Sequence, residues 1–483
     1  MKPNNIILFA KNFWRNAFKS AIIYVMFVIF VLLTVYAAVS GAKNYEQQNT
    51  IRIEHQQKAR ESWEANPDKH PHRMAHFGTF AFRLKHPLSM FDYGIESFTG
   101  NAVFLEAHKQ NSVNFSDASF STGMLRFGEL SMAMILQIVL PLIVFFIGFS
   151  AIVSERENGS LKILITQGAS WKSILLGNSL GLFGVILIFF FPVLLITCAF
   201  LFLDKSILNS SHSWIRFVIL MFSYLVFLAI LSMFTIIVSA SSKTSKNALL
   251  KLLGIWLVMV VLLPKTSQAL GNYFFSTPSK SEFQAAIEKD VSQIGNSHNP
   301  DDPYYAKLRD SVLAAHNVER VEDLPFNYGG YVMGVGEKTS SEIYNKHYNR
   351  LVNIYQQQNS FSRFTSLLDP FISIKNLSMA LSGTDYESYV DFQKQAEKYR
   401  YDLAQEMNEL QMEYINPEKV SGSEGKLHVV DHEHWEEFPD FAYKFSSIKK
   451  SLSRELFAIV SLLMWVFISA ILINYLTKKA KAI

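Results

Sequence analysis

AIIYVMFVIFVLLTVYAAVSG (21–41) is an unbroken apolar run with no Asp, Glu, Lys, Arg or His. A bilayer core of about 30 Å is crossed by roughly 20 helical residues, so this run reads as a membrane span. Five more runs of similar character follow, at about 131–153, 174–203, 215–240, 248–269 and 456–476. The first has a basic amphipathic lead and no small-residue cleavage site, and further spans follow it. It is therefore expected to remain as an anchor rather than be removed as a signal peptide. The expected fold class is an all-α integral membrane protein with six transmembrane helices.

The composition agrees. The 483 residues are 49% hydrophobic and 18% charged, with net charge +4 and one cysteine. That apolar content excludes a disordered chain, a single Cys excludes an intramolecular disulfide framework, and the small net charge is no nucleic-acid footprint. Cys198 falls in an apolar run, where a thiol acts as a small hydrophobe. Pro141, Pro192 and Pro264 fall inside spans two, three and five as expected kinks.

Orientation is read from Lys and Arg in the short connections. Lys2, Lys11, Arg15 and Lys19, then Arg156, Lys162 and Lys172, then Lys243 and Lys246, then Lys478, Lys479 and Lys481 fall on one side. The one short connection opposite carries Lys205 alone, beside Asp204. Both termini are thus expected in the cytoplasm. Residues 1–20 become a cytoplasmic amphipathic elbow helix, 21–41 the first membrane helix, and 42–130 a first extracytoplasmic domain. Residues 131–269 hold membrane helices two to five with a loop at 154–173. Residues 270–454 form a second extracytoplasmic domain, and 455–483 the sixth membrane helix with a basic tail.

Within the elbow, Ile6, Phe9, Phe13 and Ala17 share one face while Lys11, Arg15 and Lys19 recur on another, with Trp14 beside them. That pattern predicts a helix in the membrane interface whose basic side meets anionic lipid headgroups, or an elbow that passes motion to the first span. The first span is expected to run on as a stalk to Pro67. Residues 340–364, 386–414 and 446–456 also read as helical, punctuated by Gly329-Gly330, Gly334, Gly336, Pro370, Gly383 and Pro417. LHVV (427–430) is the best strand candidate, so both outer domains are expected to be mainly helical.

Ionisable side chains are almost absent from the six runs except at their ends, as with Arg216 and Lys251, which argues against an ion-coupled transporter. The chain also has no phosphate loop. Its nearest look-alike, GYVMGVGEKT (330–339), lacks the Gly-Lys pair and reads as a turn at the domain surface.

The most informative connection is SERENGSLKILITQGASWKSILLGNSLG (154–181). Glu155 and Glu157 suit a helix start, Leu161, Leu164 and Ile165 form a short apolar face, and Gly168 ends the helix. This segment resembles the coupling-helix loop of ABC exporter permeases of the second class, read as E-R-x-x-G-x-L-x-x-L-L. Glu155, Arg156, Glu157, Gly159, Leu161 and Leu164 match. Gln167-Gly168 stands where a Pro is common, and Asn178 where a Lys is common. The stretches 71–111, 368–400 and 435–445 look like the two outer domains of one bacterial branch of the same permeases, so the resemblance covers nearly the whole chain.

The resemblance implies a non-catalytic permease subunit in a bacterial inner membrane, paired with a second permease chain, identical or paralogous. Separate cytoplasmic ABC ATPase subunits would bind ATP and Mg, and this chain would bind no cofactor. An envelope protein at the outer domains is a further expected partner. A mechanical platform for that partner is the alternative function, and a membrane-tethered metal-dependent hydrolase is a third.

The third reading rests on histidines. His72 and His76 are four apart, and His108 follows Glu106 by two, spacings that could present imidazole and carboxylate to one metal. In Asp431-His432-Glu433-His434, His432 and His434 share a face if the segment is extended. Neither group has the H-E-x-x-H or cysteine spacing of a familiar zinc site, and the favoured reading of both is surface histidines or residues that satisfy loop hydrogen bonds near Phe77 and Trp435.

Overall fold

A computed structural model describes residues 3–112, 129–203, 211–299, 301–415 and 428–479. Lys2, Asp204, Lys205, Pro417, Leu427 and Lys481 lie outside the described residues. The described chain is mainly helical with one two-stranded sheet, and six helices are long and apolar enough to cross a membrane. They are α2 (Ala21–Glu64), α4 (Met132–Glu157), α6 (Trp171–Leu203), α7 (Ser211–Ser241), α8 (Ser245–Phe274) and α16 (Leu456–Lys479). The remaining elements are α1 (Pro3–Ala17), α3 (Pro71–Phe77), β1 (Thr79–Phe82), β2 (Ala102–Leu105) and α5 (Ser160–Thr166). After α8 come α9 (Lys280–Ile294), α10 (Pro303–His316), α11 (Tyr328–Ser366), α12 (Pro370–Ser382) and α13 (Tyr386–Tyr414). Two short helices, α14 (His434–Glu437) and α15 (Ile448–Arg454), precede α16.

The bundle core is aliphatic and aromatic, with Phe30, Leu136, Phe145, Ile186, Phe189, Phe227 and Leu228 fully buried. Five-residue π turns at Ile135–Val139 and Val258–Leu262 precede Pro141 and Pro264, so the break that each proline demands is taken up by a locally widened helix. The stalk is continuous: α2 runs 44 residues, about 66 Å at 1.5 Å per residue, and outlasts the apolar stretch by more than twenty residues.

At one end of the bundle α1 lies along α6. Its Phe9 and Phe13 press against Gly177 and Gly181, and a Cβ at Gly181 would stand 2.7 Å from Phe13 Cβ. The aromatic face of the elbow is therefore spent on a glycine notch of the third span, while Lys11, Arg15 and Lys19 stay exposed.

At the other end the two insertions, 42–130 and 270–454, share cores. Trp63, Met74 and Ala107 from the first pack with Leu403, Met407 and Trp435 from the second. Ala81, Val103 and Leu105 likewise meet Phe392 and Phe441. The β1–β2 hairpin, antiparallel with Thr79 opposite Leu105 and Phe82 opposite Ala102, lies in the first insertion. The expected strand at 427–430 is reduced to a single bridge between Val430 and Lys69.

Gly329, Gly330, Gly334 and Gly336 do not punctuate; they lie inside α11. A Cβ at Gly330 would stand 2.8 Å from the carbonyl oxygen of Asn408, so the glycine permits α11 and α13 to touch. The segment read as a surface turn is the helical seam of the second insertion.

The α11–α12 connection enters the bundle. Trp465 Nε1 donates to the Leu367 carbonyl at 3.1 Å, and Ser373 Oγ to Ser461 Oγ at 2.8 Å. Asp369, fully buried, caps α12 by accepting the Phe371 amide at 3.0 Å. At the far end of α12, Arg216 donates to the carbonyls of Ala380 and Leu381 at 3.2 and 3.0 Å. The stretch 366–382, which the sequence places in an outer domain, is thus wedged between spans, with 370–382 as a short helix. They bring a carboxylate among helices that have almost none of their own.

Candidate functional site

Beyond the elbow helix and the 431–437 segment, two regions collect the residues singled out by sequence. The first is the loop after α4. Arg156 donates to the carbonyls of Ser242 and Ala240 at 2.5 and 2.8 Å, the last carbonyls of α7 and its turn. Glu157 accepts the Ser245 amide at 3.0 Å and the Ser245 hydroxyl at 2.5 Å, at the first residue of α8. Glu157 does suit a helix start, but that of α8 and not the start of its own helix. Ser239 Oγ accepts the amides of Ile152 and Val153, which completes the bracing between the two turns.

Gly159 takes the left-handed backbone at φ +75° and separates α4 from α5. Within α5, Leu161 is buried, Leu164 and Ile165 are half-buried, and Ile163 is 58% exposed. Glu155 accepts the Ser160 hydroxyl at 3.0 Å. Gly168, at φ +90°, ends α5 as expected. The outcome is a short helix pinned to the bundle on one side, with an apolar side chain open on the other.

The second region joins the two insertions. Its helix α3 is capped by His70, whose Nδ1 accepts the His72 amide, and it carries His72 and His76 four residues apart. The turn after β2 supplies His108 at φ +60°, a strained value for a residue with a side chain. The loop after α9 supplies His298, whose amide is held by Asn296 Oδ1 at 2.9 Å. Ring nitrogens of His72, His108 and His298 all lie within 4.8 Å of one another. His76 flanks them, its ring centroid 4.7 Å from that of His72 and 5.3 Å from that of His108.

Behind the imidazoles stands Glu337 of α11, fully buried. Its Oε2 accepts the His108 amide at 2.9 Å and lies 3.1 Å from His108 Nδ1, and its Oε1 lies 2.6 Å from Arg400 Nη1. Arg400 also makes a two-pronged bond to Glu397, at 2.9 and 2.8 Å. Burial opposes ionisation of Glu337, but the His108 bond and the Arg400 guanidinium outweigh it and hold the carboxyl down at about 2. Burial and the surrounding imidazoles lower His72 to about 4, and His76 and His298 are lowered for the same reasons, so these rings are neutral at pH 7. With Nδ1 turned to Glu337, His108 presents a buried Nε2 that has no hydrogen-bond partner among the described residues.

His108 and His298 also edge a cleft of about 1230 Å³ between α9, α11 and α13. Tyr305, Tyr344, Tyr348, Tyr355, Tyr386 and Tyr389 line it.

The sequence pairing of His108 with Glu106 is corrected: Glu106 turns to Lys109 and Asn111, at 3.2 Å each, and Glu337 takes its place. His298 and Glu337 escaped notice because nothing local marks them; each lies about 190 residues or more from His108. The 431–437 segment is a turn followed by α14, not an extended strand, so His432 and His434 part company. His432 pairs with Asp68 at 3.0 Å, and His434 with Glu437 at 3.3 Å.

A family model for a domain of unknown function (DUF3526) matches residues 280–444. The match spans α9 to α14 and includes His298, Glu337, Arg400 and all six cleft tyrosines. The chain has no match among curated proteins.

Proposed function

We propose that this chain is the membrane-spanning permease subunit of an ATP-driven exporter of the second ABC class, worked by a separate cytoplasmic ATPase. The observation that carries the reading is α5. A helix meant to receive force has to be rigidly joined to the spans and yet offer a surface to a partner. Arg156 and Glu157 supply the join, tying the loop between spans two and three to the turn between spans four and five. Ile163, exposed on the same short helix, supplies the surface. Movement imposed there would reach four spans together, which is what a two-state gate requires. The chain would hydrolyse no ATP itself, and a second permease chain would complete the path.

The test is affinity capture of tagged full-length chain in mild detergent, wild type beside Ile163→Glu. Co-purification of an ATPase subunit with the wild type, lost in the variant, supports the reading. A wild-type chain recovered with no ATPase removes it.

A second reading, a platform that transmits force to an envelope partner without passing cargo, is favoured by the unbroken α2. A single rod from the loop end of the bundle to the insertion cores at Trp63 would convey displacement directly.

A further inference from the structure

We propose that His72, His108 and His298 form a binding site for one divalent transition-metal ion, zinc foremost, and that the ion clasps the first insertion to the second. The site stands apart from the exporter reading and does not depend on it. Three observations carry it. The first is convergence: three imidazoles from α3, from the turn after β2 and from the loop after α9 bring ring nitrogens within 4.8 Å of one another. Zinc–nitrogen bonds of about 2.0–2.1 Å put tetrahedral donors about 3.4 Å apart, a contraction that small ring rotations supply.

The second is orientation. Metal-bound histidines commonly donate their other ring nitrogen to a carboxylate, which fixes the tautomer and strengthens the donor. Glu337 does this to His108 Nδ1, and Arg400 holds Glu337 in turn. The Nε2 left over is buried and has no hydrogen-bond partner among the described residues. His108 takes the left-handed backbone with its amide and its ring Nδ1 both facing Glu337.

The third is chemistry. An all-imidazole donor set suits zinc and its neighbours in the transition series and does not suit calcium or magnesium, which take oxygen ligands. With three protein ligands a fourth position stays open to His76, to water or to a ligand in the tyrosine-lined cleft, which His108 and His298 both edge. The exposed Asp68, Asp431 and His432 group has no such support and serves as the control.

The experiment is a zinc titration of chelator-stripped full-length protein in detergent, read by competition with a chromophoric chelator and repeated with cobalt for its visible spectrum. Wild type is expected to take up one equivalent and to give a tetrahedral-type cobalt spectrum. His298→Ala, a change on an exposed loop, is expected to keep the wild-type circular dichroism and to abolish that equivalent. Glu337→Gln is expected to weaken it about 10–100-fold, and the double variant His432→Ala, His434→Ala to leave it unchanged. A folded wild-type protein that takes up no zinc overturns the proposal. So does an uptake that survives His298→Ala or follows His432 and His434.

Discussion

Glu337 meets His108 twice through one oxygen, at the backbone amide and at ring Nδ1, 2.9 and 3.1 Å away. It thereby fixes both the backbone and the ring of a residue in the left-handed region. Replacing Glu337 with Ala would strand the amide and leave Arg400 half-paired in the domain interior. Breaking a buried pair costs about 3–5 kcal/mol, so Glu337→Ala is expected to lower the unfolding free energy of the insertion domain by that much, read as a lower denaturant midpoint. Tryptophan fluorescence reads it, since the fully buried Trp435 shares a core with Ala107, next to His108.

Glu96 is buried with Arg83 at 3.1 Å, Lys85 at 3.4 Å and Arg52 at 3.7 Å, a joint between the stalk and the first insertion. Burial opposes its ionisation; Lys85, Arg83 and Arg52 together outweigh that and lower its pKa. A lowered carboxylate stabilises in full above its ordinary value near 4.5 and loses that contribution as the pH falls through the lowered folded value. Glu96→Gln should therefore cost about 3–5 kcal/mol at pH 7, and the gap from wild type should shrink on acidification below 4.5. Thermal unfolding of both proteins between pH 7 and pH 3 is the measurement.

The seat of α1 is narrow. Leucine at both Gly177 and Gly181 would collide with Phe9 and Phe13, and overpacking of this kind costs about 1–3 kcal/mol. The helix is expected to lift from α6, with faster tryptic cleavage after Arg15 and Lys19. Cleavage at the wild-type rate would mean that the notch does not hold the elbow.

Arg156 serves the bundle before it serves any partner. Arg156→Ala removes two charge-assisted bonds, one to the last turn of α7 and one just after it, worth about 1.5 kcal/mol at a half-exposed site. A lower thermal midpoint is expected even for the isolated chain, whereas Ile163→Glu should leave that midpoint in place. Equal destabilisation by both would mean that Ile163 is a packing residue.

The six spans and the stalk were legible because twenty apolar residues, or the twenty-five from 42 to 66 without Pro or Gly, leave few alternatives. The stop at Gly168 was legible for the same local reason. What escaped depends on partners distant in the chain. TFAF and AVFL are strands of four residues without apolar–polar alternation, and their pairing shows only once Thr79 meets Leu105. The glycines of α11 look like turn residues until Asn408 and Met412 lie against them. His72, His76 and His108 could be grouped by spacing, but His298 and Glu337 join them only through the tertiary fold.

The wedge formed by α12 also constrains how the protein is built. Thirteen residues rise about 20 Å, too short to cross a bilayer, so insertion machinery has no cause to place them as a span. Their lodging against Ser461 and Trp465 needs α16, which is synthesised later, already standing in the membrane. The chain must therefore hold this segment in waiting until its final span arrives, and truncation before α16 would orphan a piece of the bundle that lies well upstream of the cut.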